Sequence, residues 1–166
     1  SRDDGKTWTW LSEIPTRKGD QAAEYHELHA IETADNRIIV QIRNHNPQES
    51  RETLQSESVD GGATWTTPKS IGVWGLPSHL LRLHDDRLLM SYGYRRKPFG
   101  NQARISEDHG RTWSAPITIS ADGHSGDLGY PSTVELEDHS LLTVWYEQLK
   151  DNPHAVLRQA RWRLKG

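Results

Sequence analysis

Cysteine is absent from the 166 residues, which rules out disulfides and thiolate metal sites. Long apolar runs are missing too, so no segment is suited to cross a bilayer as a helix. Hydrophobic residues make up only 33% of the chain, and mean hydropathy is −0.84. Such a composition suits thin sheets with many polar loops better than one thick core. A strong charge of one sign is also lacking. The net charge is −3 and the pI near 6.3, with no long run of like charge, so neither nucleic acid nor an anionic membrane is an expected partner. No stretch of ten or more residues carries a helical period.

What the chain does contain is one pattern three times. Ser1-Arg2-Asp3-Asp4-Gly5-Lys6-Thr7-Trp8, Ser58-Val59-Asp60-Gly61-Gly62-Ala63-Thr64-Trp65 and Ser106-Glu107-Asp108-His109-Gly110-Arg111-Thr112-Trp113 all read S-x-D-x-G-x-T-W. Each suits a turn. The Asp carboxylate and the Ser and Thr hydroxyls bond nearby amides, the Gly permits a positive φ, and the Trp covers the turn. The spacing, about 50 residues, is that of a repeated structural unit.

Strand signals recur between the copies: His26 to Ile31, Arg37 to Arg43 and Glu52 to Ser58; Pro77 to Leu83, Arg87 to Tyr94 and Gln102 to Ser106; Tyr130 to Leu136, Leu141 to Tyr146 and Ala155 to Leu164. Polar tight turns join the first two of each set, at Ala34-Asp35-Asn36, His84-Asp85-Asp86 and Glu137-Asp138-His139. A Pro-marked segment follows each repeat, at Ile14-Pro15, Thr67-Pro68 and Ala115-Pro116, where a short edge strand is expected. The unit is strand, hairpin, strand, loop, strand, repeat, edge strand. The expected fold is all-β, a β-propeller of four-stranded antiparallel blades. Residues 1–20 would end one blade, 21–72 and 73–120 form two whole blades, and 121–166 supply three strands of a last one.

The repeat resembles the Asp-box of the sialidase-like β-propellers, with Asp3, Asp60 and Asp108 as its structural aspartates. Propellers of that family have six blades, so the chain resembles a C-terminal half. Gly129-Tyr130-Pro131-Ser132 followed by Val144-Trp145-Tyr146-Glu147 resembles the sialidase signature in which a glycine-tyrosine opens the last inner strand and a tyrosine-glutamate ends the next. The resemblance implies that Tyr130 is a nucleophile. A neutral phenol suits a sugar whose anomeric carbon carries a carboxylate, because an anionic nucleophile would be repelled. A phenol of pKa near 10 needs a base beside it. Glu27 is the candidate, with Glu24 its rival, and Arg43 follows Glu27 by a similar interval to that between a sialidase glutamate and arginine.

Arg43 would belong to the arginine set that grips the sugar carboxylate, a task suited to a planar, permanently charged fork. Arg95 or Arg96 would supply a second member, with Arg104 as a further option. Glu147 would brace the family's first arginine. That arginine and the acid/base aspartate fall in the family's N-terminal half, outside these residues, so the chain alone is expected to lack part of the active site. His29 and His79 lie on inner strands within reach of sugar hydroxyls, and Trp74 enters an inner strand as a sugar-stacking candidate. His26 and His29 fall on opposite faces of a strand, and His79 and His84 flank another, so neither pair has chelating spacing. No metal and no cofactor are expected.

The implied ligand is a sialoside or another acidic glycan, cleaved with retention or by lyase chemistry. A non-catalytic binding propeller is the alternative from another class, since the boxes specify fold and not chemistry. The open flanks of a half propeller call for the missing half or a second copy. A secreted or periplasmic parent protein is compatible with all of this.

Overall fold

A computed structural model describes residues 1–152 and 154–164. Its strands form three antiparallel sheets. The first contains β1 (Tyr25–Glu32), β2 (Ile38–Asn44), β3 (Glu52–Ser58) and β4 (Lys69–Trp74) in that order. The second contains β5 (Ser78–Arg82), β6 (Leu88–Tyr94), β7 (Gly100–Ser106) and β8 (Ile117–Ser120). The third contains β9 (Leu128–Glu135), β10 (Leu141–Gln148) and β11 (Ala155–Trp162). Their first strands, β1, β5 and β9, pack in succession, which is the arrangement of neighbouring propeller blades around an axis.

The three hairpins between first and second strands close identically. Thr33 N–H donates to Arg37 O at 2.8 Å, Leu83 to Arg87 at 2.9 Å and Leu136 to Ser140 at 2.8 Å. Asn36, Asp86 and His139 take the left-handed conformation in these turns, at φ of 60°, 67° and 59°. Asn and Asp tolerate it well.

The first and second sheets are covered on both faces, and the third on one. Ile39, Val73, Leu80, Leu88, Met90 and Tyr92 fill the interface between the first and second blades. Leu83, Leu89, Ala103, Ile105 and Leu141 fill that between the second and third, with Trp162 packed against them. On the outer face of the first blade, Val40, Ile42 and Leu54 are covered by Ile14, Tyr25 and Trp65.

The repeats form one turn three times. In the second, Ser58 Oγ donates to Asp60 Oδ1 (2.8 Å) and accepts from Gly62 N–H (2.9 Å). Asp60 also accepts from the Thr64 amide at 2.9 Å and the Thr64 hydroxyl at 2.6 Å. The first and third repeats make the same bonds. The third turn also docks on the first blade, where Gln55 Nε2 donates to Gly110 O (2.8 Å) and Arg37 Nη2 to His109 O (2.7 Å). Gly110 sits at φ +87°, and a Cβ there would fall 2.8 Å from Ile39 Cδ1. The turn therefore needs glycine for its conformation and its fit. Trp113 and Trp65 pack into neighbouring clusters, whereas Trp8 is 80% exposed.

The expected edge strand at Ile14-Pro15 does not form; no strand appears among residues 1–24. A strand needs a ladder partner, and no strand in the described residues is positioned to pair with it. The segment crosses the outer face of the first blade instead. Ile14 packs there, and Arg17 bonds Asp20, Glu49 and the Gln48 carbonyl. The three other expected sets match the observed strands to within about two residues, the usual play of strand ends. The final residues of the proposed last blade, 165–166, lie outside the described residues.

Two consequences can be measured. Burial opposes ionisation of Asp108, but the Thr112 hydroxyl and amide and the Ser106 hydroxyl hold its pKa down to about 2, against an ordinary 3.8. Its contribution is complete above about pH 4 and lost as the pH falls toward 2. Asp108→Ala is expected to lower stability by about 1–2 kcal/mol at neutral pH. It should also flatten the acid limb of a urea-denaturation series across that window. The flanks are the second consequence. Trp8, Trp10, Leu11 and Leu28 are exposed at one end, and Val134, Val144 and Leu157 at the other. Such faces and the free edge of β11 recruit partners. Light scattering at micromolar concentration should show self-association; a monodisperse monomer would contradict this.

Candidate functional site

Two irregularities in the inner strands build the site. In β1 the pairing slips between Tyr25↔Asn44 and Leu28↔Ile42, so His26 and Glu27 together oppose Arg43 of β2. In β9 it slips between Gly129↔Tyr146 and Ser132↔Val144, so Tyr130 and Pro131 oppose Trp145. Bulges of this kind re-aim side chains. Pro131 lacks an amide to contribute, which suits it to such a place. Tyr130 itself is left-handed, at φ 52°, and 44% exposed. A non-glycine residue held there carries strain, which concentrates at functional positions. Gly129 precedes it at φ +124°, and a Cβ on Gly93 would meet Gly129 Cα at 3.0 Å. The second and third blades thus touch backbone to backbone directly behind Tyr130.

The two bulges bring their residues together from different blades. The Tyr130 hydroxyl donates to Glu27 Oε1. Arg43 Nη1 donates to the same hydroxyl at 2.9 Å and to Glu27 Oε1 and Oε2 at 3.0 and 2.9 Å. Arg43 Nε donates to His45 Nε2 at 2.9 Å. Its Nη2 makes no hydrogen bond among the described residues. Burial and the bond to Glu27 raise the Tyr130 pKa above its ordinary 10, with Arg43 opposing. Burial works against Glu27, yet the bonds from Tyr130 and Arg43 leave its pKa below the usual value. The resting state is a neutral phenol beside a carboxylate. A proton lost from Oη has an acceptor in contact, and the resulting phenolate has a guanidinium.

Arg95 and Arg96, adjacent in sequence, separate cleanly. Arg95 lies with its guanidinium 5.7 Å from the Tyr130 ring centre. It donates to Leu128 O at 2.9 Å and to the Tyr146 hydroxyl at 3.3 Å. Arg96 turns away and stacks on Trp74 at 3.9 Å. Trp74 ends β4, an outer strand, rather than entering an inner one, and its ring already carries Arg96 on one face and Tyr94 at its edge. Arg104 is also remote, bonded to the Tyr92 hydroxyl and Ser114 carbonyl.

Glu24 faces His26 and not Tyr130. Glu147 is 1% exposed. Its Oε2 accepts from Arg158 at 2.9 Å and Trp145 Nε1 at 3.1 Å, while its buried Oε1 has no partner among the described residues. It therefore lies behind the Tyr130 group rather than in it. His29 and His79 lie against each other with centres 4.4 Å apart and ring planes tilted by 47°, and Leu80 N–H donates to His29 Nδ1 at 3.2 Å. Burial, reinforced by His29, pushes His79 down to about 4. Both rings belong to the contact between β1 and β5.

Tyr146 and His45 are neighbours that sequence reasoning did not name as site residues. Tyr146 donates to Asp127 Oδ1 at 2.8 Å, and its ring lies 5.7 Å from that of Tyr130. Their signal was proximity in sequence, Tyr146 to Glu147 and His45 to Arg43. A cleft of about 550 Å³ opens beside this group, lined by Tyr130, Val144, Tyr146, Leu157 and Arg158.

The sequence matches the family described as BNR repeat-like domain over residues 1–144. The chain belongs to that family. Among solved structures, this BNR repeat-like domain is similar to a protein of unknown function from Dyadobacter fermentans, with TM-score 0.77 and 32% identity over 85% of this chain and 38% of that one. It is also similar to an alpha-L-arabinanase from Penicillium chrysogenum complexed with arabinobiose, with TM-score 0.71 and 14% identity over 89% and 48% of the two chains. A Hadza microbial sialidase matches with TM-score 0.69 and 16% identity over 96% and 37%. The last two likenesses concern the fold, which is a partial β-propeller. The domain spans well under half the length of the Dyadobacter protein and the sialidase. No curated protein matches the sequence.

The coupling between Glu27 and Tyr130 is open to titration. In Glu27→Gln the anionic acceptor is removed while Arg43 stays, so the Tyr130 phenol should ionise at lower pH than in the parent chain. Ultraviolet difference titration against Tyr130→Phe measures this; an unchanged or higher midpoint would contradict the coupling.

Proposed function

We propose that this chain is the C-terminal part of a retaining, sialidase-type exo-glycosidase acting on an acidic sugar. The observation that carries the proposal is the Tyr130 hydroxyl held between Glu27 and Arg43. In this reading Tyr130 Oη attacks the anomeric carbon, its proton passes to Glu27, and the glycosidic C–O bond breaks. The leaving oxygen is protonated by an acid outside these residues. Water then attacks the anomeric carbon and breaks the tyrosyl-sugar bond, giving its proton to the outside group that had protonated the leaving oxygen, while Glu27 returns its proton to Oη.

Two arginines favour an acidic over a neutral sugar. Arg43 Nη2 and Arg95 Nη1 make no hydrogen bonds among the described residues, and both guanidinium groups lie beside Tyr130. A substrate carboxylate would pair with them in a two-point fashion; a neutral sugar would leave Arg95, which has no carboxylate partner among the described residues, unanswered, while Arg43 keeps Glu27. The buried, unpartnered Oε1 of Glu147 supports its expected role of bracing a further arginine from another segment. The proposed blades, residues 21–72, 73–120 and 121–166, are then half of a ring that closes with further chain or with a second copy.

The test is turnover of an aryl sialoside by a longer protein that contains these residues. Glu27→Gln should lower kcat by about 10²–10⁴-fold, and Tyr130→Phe should abolish retaining cleavage. The 166-residue chain alone should show no turnover. Activity of the variants at parental levels would sink the assignment, and cleavage of a glucuronide but not a sialoside would move it to another acidic sugar.

A further inference from the structure

Two histidines and a glutamate meet at the opposite end of the inner strands. His84 sits in the β5–β6 hairpin, Glu135 ends β9, and His139 sits in the β9–β10 hairpin. Glu135 Oε1 lies 2.5 Å from His84 Nδ1 and 3.5 Å from His139 Nδ1. The three donor atoms are all within 4.8 Å of one another. The imidazole rings stack with centres 3.8 Å apart. They line a cleft of about 180 Å³ between the second and third blades. Glu135 is five residues along β9 from Tyr130, or roughly 16 Å at ~3.3 Å per residue, so the cluster is separate from the Tyr130 group.

We propose that His84, Glu135 and His139 form a binding site for a divalent transition-metal ion, with Zn²⁺ the best match, that ties the second blade to the third. Two imidazole nitrogens and one carboxylate oxygen make a ligand set used for Zn²⁺ with a solvent molecule as the fourth ligand. Nitrogen donors disfavour Ca²⁺ and Mg²⁺, which take oxygen. Donor atoms bound at about 2.0–2.2 Å to a tetrahedral ion lie roughly 3.3–3.6 Å from one another, so the spacing of Glu135 to His139 already suits an ion, while the 2.5 Å contact of Glu135 with His84 would open to admit it. Both rings are about half exposed.

The carboxylate is prearranged for this. Glu135 is only 14% exposed in its side chain, and its Oε2 accepts from the His84 backbone N–H at 2.8 Å, which leaves Oε1 directed at the imidazoles. Supporting bonds of this sort orient metal ligands. The neighbouring carboxylates are occupied: Asp85 by Arg87, and Asp138 by Arg161 and Arg163. Glu135 is thus the carboxylate that faces the histidines. A second triplet, Glu24, His26 and His45, is less suitable because Arg43 already donates to His45 and places a cation beside it. The sequence-based expectation of no metal compared histidines along single strands, whereas His84 and His139 come from adjacent blades.

Calorimetric titration of the metal-stripped protein with ZnCl₂ should show one tight equivalent. Thermal unfolding should shift upward with Zn²⁺, since an ion that binds only the folded state stabilises it. His84→Ala and His139→Asn should each weaken binding by at least ~10–100-fold; Asn suits the left-handed turn at position 139. His26→Ala should bind as the parent does. If the double variant fails to fold, Glu135→Gln provides the same comparison. Absence of binding, or binding that persists in the His84/His139 double variant or in Glu135→Gln, would overturn the site.

Discussion

Each blade is a sheet with two apolar faces, and that constraint governs the rest of the structure. A single four-stranded sheet cannot satisfy both faces alone, so neighbours must stack. Ile39, Leu80 and Tyr92 close one seam, and Leu83, Leu89 and Leu141 the next. The same requirement leaves Val134, Val144 and Leu157 uncovered on the far face of the last blade. Polar links reinforce the seams. Arg37 and Gln55 reach from the first blade to the carbonyls of the third repeat turn, so a turn that is locally complete also serves as an inter-blade latch.

Stacking fixes the inner strands side by side, and the bulges then act on that fixed frame. Glu27 and Tyr130 are 103 positions apart yet share a proton-bearing contact. In both places two residues oppose one, and the extra residue is directed out of the ladder. Arg43 lies opposite the first bulge and bonds both partners. The strain at Tyr130 is supported by the close Gly93–Gly129 contact behind it. Position, charge and backbone conformation are therefore set by three different blade-level contacts, and the chemistry available to the phenol follows from them.

Much of this was legible in the sequence. The repeated serine, aspartate, glycine and threonine define a turn whose bonds span only four residues, so local spacing suffices to read it. Hairpins such as Ala34-Asp35-Asn36 are equally local. Arg43 could be placed opposite Glu27 because one hairpin connects them. What depended on partners absent from the local sequence was harder. Ile14-Pro15 carries an edge-strand signal, but a strand exists only as part of a ladder, and the segment became a cover for the first blade instead.

The finer assignments belonged to tertiary structure. Arg95 and Arg96 are chemically identical neighbours, and only the direction each takes off β6 sends one to Tyr130 and the other to Trp74. His84 and His139 look unrelated along the chain, and they meet because hairpins of successive blades align at one end of the axis. By itself, the sequence determined the repeating turn, the blade and the order of its strands, because each rests on contacts between near neighbours. Which side chains converge was decided only by stacking and by bulges, because those join residues from different blades.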